Sequence, residues 1–81
     1  MEIYKNLNGN SSVTHYNIGE DYIEVKFKSG ATIYTYNHLL NGTHHIETMK
    51  NLALAGKGLA GYIIKNPQVR DRFIKQVITS N

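Results

Sequence analysis

"VTHYNIGEDYIEVKFKSGATIYTYN", residues 13–37, contains three β-rich runs separated by two turn signals. VTHYNI (13–18), YIEVKFK (22–28) and ATIYTYN (31–37) are dense in β-branched and aromatic residues, which suit a pleated, half-buried surface. The connectors are Gly19-Glu20-Asp21 and Ser29-Gly30, and two-residue loops fix the register of a hairpin. A turn at Ser29-Gly30 sets Phe27 opposite Thr32, Val25 opposite Tyr34 and Ile23 opposite Tyr36. A turn at Glu20-Asp21 sets Ile18 opposite Ile23, Tyr16 opposite Val25 and Thr14 opposite Phe27. Both turns independently gather Tyr16, Ile18, Ile23, Val25, Phe27, Tyr34 and Tyr36 on one face. His15, Asn17, Glu24, Lys26, Ile33 and Thr35 fall on the other. Because a slip of one residue would invert every side chain, this agreement predicts a three-stranded antiparallel meander.

Downstream the apolar period changes from two to that of a helix. In THHIETMKNLALAG, Thr43 can cap a helix over 43–55 whose stripe is Ile46, Met49, Leu52 and Ala53. Gly56 then stands where a left-handed residue would close that helix. GLAGYIIK supplies a short second helix over 58–64. In NPQVRDRFIKQVI, Asn66 is a cap and Pro67 the first helical residue. The stripe Val69, Phe73, Ile74, Val77 and Ile78 predicts a third helix over 67–79, an amphipathic C-terminal extension. Upstream, residues 1–12 read as an arm and loop from which Ile3, Tyr4 and Leu7 could dock on the body or on a neighbouring subunit. The expected architecture is α+β, a meander with its helices on one face. The expected organisation is an arm (1–12), a central domain (13–66) and the extension (67–81).

Eighty-one residues make one domain, near the lower limit for a core without staples. Cysteine is absent, which excludes disulfides, a thiolate nucleophile and Cys-based zinc sites. No apolar run reaches membrane-spanning length and no leader-like stretch is legible, so a cytoplasmic protein is expected, with no membrane partner. A net charge of +3 is unevenly spread. Residues 1–40 carry three lysines against four acids, whereas 41–81 carry six basic residues against two acids. The basic half favours anionic partners by long-range attraction.

Gly56, Gly58 and Gly61 spell G-x-G-x-x-G, but they follow a helix, whereas a dinucleotide fingerprint follows a strand inside a βαβ unit. A phosphate loop fails as well, because Tyr62 and Ile63 follow Gly61 where Lys and Ser/Thr are required. The glycines therefore read as geometry. Gly56 and Gly58 would turn the chain between helices, and Gly61 would let a helix approach the sheet. Lys57 at that junction, next to the N-terminus of the following helix, could hold one phosphate.

FKSGATIYTY (27–36) followed by MKNLALAGKGLAGYIIKN (49–66) resembles the KTSC domain, a small module found at the C-terminus of some lysyl-tRNA synthetases and as free-standing bacterial and phage proteins. The shared pattern is a basic strand end, Ser-Gly, a Tyr-rich strand, a helix, a Gly-x-Gly-Leu stretch and Lys65-Asn66, covering about residues 11–66. The resemblance implies a compact α+β fold and supplies no catalytic residues to carry over. Association with a synthetase points to nucleic acid, and phage copies point to a role in the host cytoplasm. The chain departs from the pattern after Asn66.

His38, His44, His45 and Glu47 are close in sequence, but adjacent helical histidines diverge by about 100°, so surface positions are expected and no metal site. His15 reads as a surface residue on the polar face. Ser11, Ser12, Ser29 and Ser80 lie in turns or at an end, without a nucleophile context. No catalytic residues and no cofactor are expected. The reading that remains is a non-enzymatic, homo-oligomeric binding module for an anionic nucleotide-type ligand. Lys57, Gly58, Lys65, Arg70 and Arg72 would hold phosphate, and Tyr62 or Tyr22 would stack on a base. In a phage, such a module could sequester a host immune signalling nucleotide. Two other classes stand beside it: an RNA- or tRNA-binding surface, and a protein adaptor using the stripe of the C-terminal helix.

Overall fold

The computed structural model describes residues 1–28 and 30–77. The fold is α+β: a five-stranded antiparallel sheet in sequential order, with four helices. The strands are β1 (Glu2–Ile3), β2 (Val13–Ile18), β3 (Tyr22–Phe27), β4 (Thr32–Asn37) and β5 (Ile74–Val77). The helices are α1 (His38–Asn41), α2 (Thr43–Ala55), α3 (Leu59–Lys65) and α4 (Pro67–Arg70). Among the described residues, no helix is long and apolar enough to cross a membrane.

The meander forms in the expected register over most of its length. Ile23 pairs with Tyr36 and Val25 with Tyr34, while Ile18 pairs with Ile23 and Tyr16 with Val25. The Gly19 N–H donates to the Tyr22 carbonyl, closing the first turn around Glu20-Asp21. In the second turn, Ser29 lies outside the described residues. One pairing differs from expectation: Val13, not Thr14, faces Phe27, because the register shifts between Val13 and His15. The extra residue is a β-bulge at Thr14. Its effect is to turn Val13 into the core, where it is 1% exposed. The predicted apolar face is the one that packs. Ile23, Val25 and Tyr36 are buried, and Tyr16, Ile18, Phe27 and Tyr34 are partly buried against them.

Over that face lie Ile46, Met49 and Ala53 of α2, Leu59 and Ile63 of α3, and Val69 of α4. Helix α2 has its expected bounds, but Gly42 rather than Thr43 occupies the cap position, and no side chain caps it. Its C-terminal cap, Gly56, is left-handed at φ 75° as expected. Helix α1 is a short turn that the sequence did not announce, capped by Asn37, whose Oδ1 accepts from the Leu40 N–H.

Segments 2–3 and 74–77 both join the sheet. The arm pairs with β2 through Glu2 and Ile3, and Tyr4 is buried in the core. Ile3 and Leu7 stay exposed. The expected helix over 67–79 does not form. Asn66 and Pro67 begin a helix as predicted, but α4 stops at Arg70 and residues 74–77 pair with β4, Ile74 against Thr35 and Val77 against Thr32. Asn41 holds this reversal. Its Nδ2 donates to the Gln68 and Arg72 carbonyls at 2.9 and 2.8 Å, and its Oδ1 accepts from the Asn37 N–H at 3.0 Å. A continued helix would leave the outer edge of β4 unpaired.

Candidate functional site

The loop before β2 makes one wall of a cleft. Asn6 adopts a left-handed conformation (φ 53°), which asparagine tolerates better than most residues. Its Oδ1 accepts from the Ser11 N–H, and its carbonyl accepts from the Gly9 N–H. The loop is tied to the α2–α3 junction because the Leu7 N–H donates to the Gly56 carbonyl at 2.8 Å. Beneath it the Tyr4 hydroxyl accepts from the Leu59 N–H at 3.3 Å. Between loop and α3 lies a cleft of about 360 Å³. Asn6, Asn8, Asn10, Ser11 and Ser12 line one side. Lys57, Gly58, Ala60, Gly61 and Ile64 line the other. Lys57 is exposed and has no ion-pair partner among the described residues.

A second hollow of about 330 Å³ adjoins the first, and Ser12, Ala60 and Ile64 belong to both. Its walls are Phe27, Tyr34, Tyr36 and Phe73, with Arg70 beside them. The rings meet edge to face: Phe27–Tyr34 at 5.4 Å, Tyr34–Phe73 at 4.8 Å and Tyr36–Phe73 at 6.2 Å between centroids. Phe73 reaches this cluster because α4 ends early and β5 lays it beside Tyr34.

The seven residues expected to bind ligand separate. Lys57 and Gly58 line the polar cleft, and Arg70 borders the aromatic hollow. The Arg70 guanidinium is already engaged by Asp71 through Nε and Nη2, both at 3.0 Å. That pairing raises Arg70 above its ordinary range and holds the Asp71 carboxyl below its own. Tyr62 is turned toward α2, its hydroxyl 2.6 Å from His45 Nδ1. Lys65 and Arg72 are exposed outside either cavity. Tyr22 lies on the sheet face away from the helices, in register with Asn37, and its ring occupies the space a side chain at Gly19 would need. Within one chain neither Tyr22 nor Tyr62 lines the cleft that holds Lys57.

One N–H at the start of α3, that of Leu59, is engaged by the Tyr4 hydroxyl, and one further expectation changes. Gly61 makes no close approach, since a Cβ there would meet nothing within 4 Å. Gly56 does: a Cβ would come within 2.6 Å of Lys5 Cβ. Among the histidines, His38 Nε2 lies 3.0 Å from Glu47 Oε2, and Lys50 meets the same oxygen at 2.9 Å. Among the described residues, no group of three or more His, Asp or Glu side chains could hold a metal ion.

Sequence reasoning missed the Asn-Gly-Asn-Ser-Ser wall and the aromatic hollow. The run of small polar residues at 8–12 was a signal for the wall. Nothing local marked Phe73 as a partner of Tyr34. Compared with known proteins, the chain matches no family model, no curated protein and no solved structure.

Proposed function

We propose that this chain is a KTSC-like, non-enzymatic binding module for an anionic nucleotide-type ligand, working as a homo-oligomer. The observation that carries the reading is the junction of two unlike cavities. One is lined by amides, hydroxyls and an uncommitted lysine, and the other by aromatic rings. A nucleotide has the same division, with a charged polar part joined to a planar apolar one. Together the cavities fall in the size range of small-molecule sites. Lys57 supplies the positive charge, and the loop amides and Ser12 supply hydrogen bonds.

Self-association is supported by the outer edge of β5, which has no further strand among the described residues, and by Ile74 and Val77, which it leaves exposed. A second copy would also enclose cavities that are open in one chain. The adaptor reading loses its helix. An RNA surface remains the alternative, since an open groove with exposed basic residues also suits a strand.

The test is a thermal-shift screen against mononucleotides, cyclic and linear dinucleotides and short RNAs, beside a mass measurement of the assembly. A pocketed nucleotide at a hundredfold excess over its Kd adds about 2.7 kcal/mol, on the order of 10 °C for a domain this small. RNA binding would instead weaken steeply with salt. A melt that neither class shifts would remove both readings.

A further inference from the structure

The aromatic hollow has features that an ordinary gap in a core does not need. Tyr36 is 2% exposed as a residue and lines the hollow, and its hydroxyl makes no hydrogen bond to another described residue. Among the described residues no fully buried polar side-chain atom lacks a partner, so this hydroxyl is an open donor and not an orphaned one. Burial, with Tyr34 beside it, holds this phenol above the ordinary tyrosine range, so it remains an O–H donor at neutral pH. The neighbouring rings meet edge to face, with interplanar angles of 74°, 84° and 65°, so no ring in these pairs is covered by a parallel one. Phe73, 37% exposed, presents its ring at the border of the hollow.

We infer that the hollow formed by Phe27, Tyr34, Tyr36 and Phe73 is the subsite for a planar heteroaromatic ring, which stacks against the exposed Phe73 ring while the Tyr36 hydroxyl donates to an acceptor on its edge. This deepens the nucleotide reading and rests on it for the anionic half of the ligand. An aliphatic group of equal size would fill the hollow but offer the Tyr36 hydroxyl no acceptor in exchange for water. A heteroaromatic ring offers both a π-face and an acceptor at its rim. The ridge of Ser12, Ala60 and Ile64, common to both cavities, carries the connection toward Lys57.

The experiment separates the two halves of the ligand. Binding of the four common nucleosides, which have no phosphate, is measured by calorimetry beside binding of ribose 5-phosphate, which has no ring. At least one nucleoside is expected to bind saturably, with tenfold or greater preference among the four. Phe73→Leu is expected to weaken that nucleoside about tenfold or more and to leave ribose 5-phosphate unchanged, while Lys57→Ala does the reverse. Tyr36→Phe is expected to retain stacking and bring the four nucleosides within about threefold of one another, as loss of a hydrogen-bonding reader predicts. Magnetisation transfer from the Tyr34 and Phe73 ring protons to the nucleoside's base protons, in the unaltered chain, locates the ring without any substitution. If ribose 5-phosphate binds and no nucleoside does, the inference fails while an anion site survives. If nucleosides bind and ribose 5-phosphate does not, the subsite stands and the anionic half is overturned. Nucleoside binding without transfer from Tyr34 or Phe73, or undiminished in Phe73→Leu, overturns the inference outright.

Discussion

The β2–β4 meander and the segment from Asn66 to Val77 both carry a periodic apolar pattern but were not equally readable. In the meander, register follows from turns a few residues away, and each pairing repeats the same apolar face. In the C-terminal segment, Val69, Phe73 and Val77 recur at helical spacing, yet only Val69 is buried, at the end of a four-residue helix. The rest is an edge strand. Local chemistry decided the first region, whereas partners 27 or more residues away decided the second.

Truncating the core of the meander should produce the largest effect. Ile23→Ala removes a side chain with no exposure at the centre of the apolar face, and a loss of about 3–4 kcal/mol is expected in urea unfolding. For an 81-residue chain that approaches unfolding.

Asn41→Leu tests the other region. It would leave the Gln68 and Arg72 carbonyls and the Asn37 N–H without their partner, at a cost of about 2–3 kcal/mol. The comparison predicts where the loss appears. Amides of residues 74–77 should exchange early while those of Ile23 and Val25 remain protected until global unfolding. Uniform loss of protection would mean that the two regions form one cooperative unit.

The glycines give an intermediate pair of opposite sign. Gly56→Ala forces a left-handed residue and crowds Lys5, so a destabilisation of about 1–2 kcal/mol is expected. Gly61→Ala sits inside α3 with open space around it, and should stabilise by about 0.5–1 kcal/mol. Thermal melts of the two variants read both signs directly.

Glu47→Gln should have the smallest effect. Hydrogen bonds from His38 and then Lys50 hold the Glu47 carboxyl below its ordinary range. A carboxylate lowered on folding stabilises the fold at neutral pH, and that contribution disappears as pH falls below the ordinary carboxylate range. The melts of wild type and variant should therefore differ slightly at neutral pH and converge on acidification. The group is fully exposed, so the difference is small.

Legibility within the candidate site followed the same division. Lys57 and Gly58 stood out because a charged residue between glycines is visible in the chain itself, and they do line a cleft. Tyr22 and Tyr62 were chosen for residue type alone, and the fold sends one to the far sheet face and the other to His45. The Thr14 bulge left no local mark, because no glycine announces it. Its consequence, burial of Val13, appears only once β2 has β3 beside it.

By itself the sequence determined the α+β class, the apolar face of the meander, the bounds of α2 and the left-handed turn at Gly56. Those features depend on turn geometry, helical period and φ preference, which act over a few residues. Tertiary structure alone decided that residues 74–77 complete the sheet, that Asn41 holds them there, and that Phe73 joins Tyr34 and Tyr36 around a hollow. A stripe of Val, Phe and Ile is compatible with helix or strand. The unpaired edge of β4 and the polar groups around Asn41 are satisfied by only one of them.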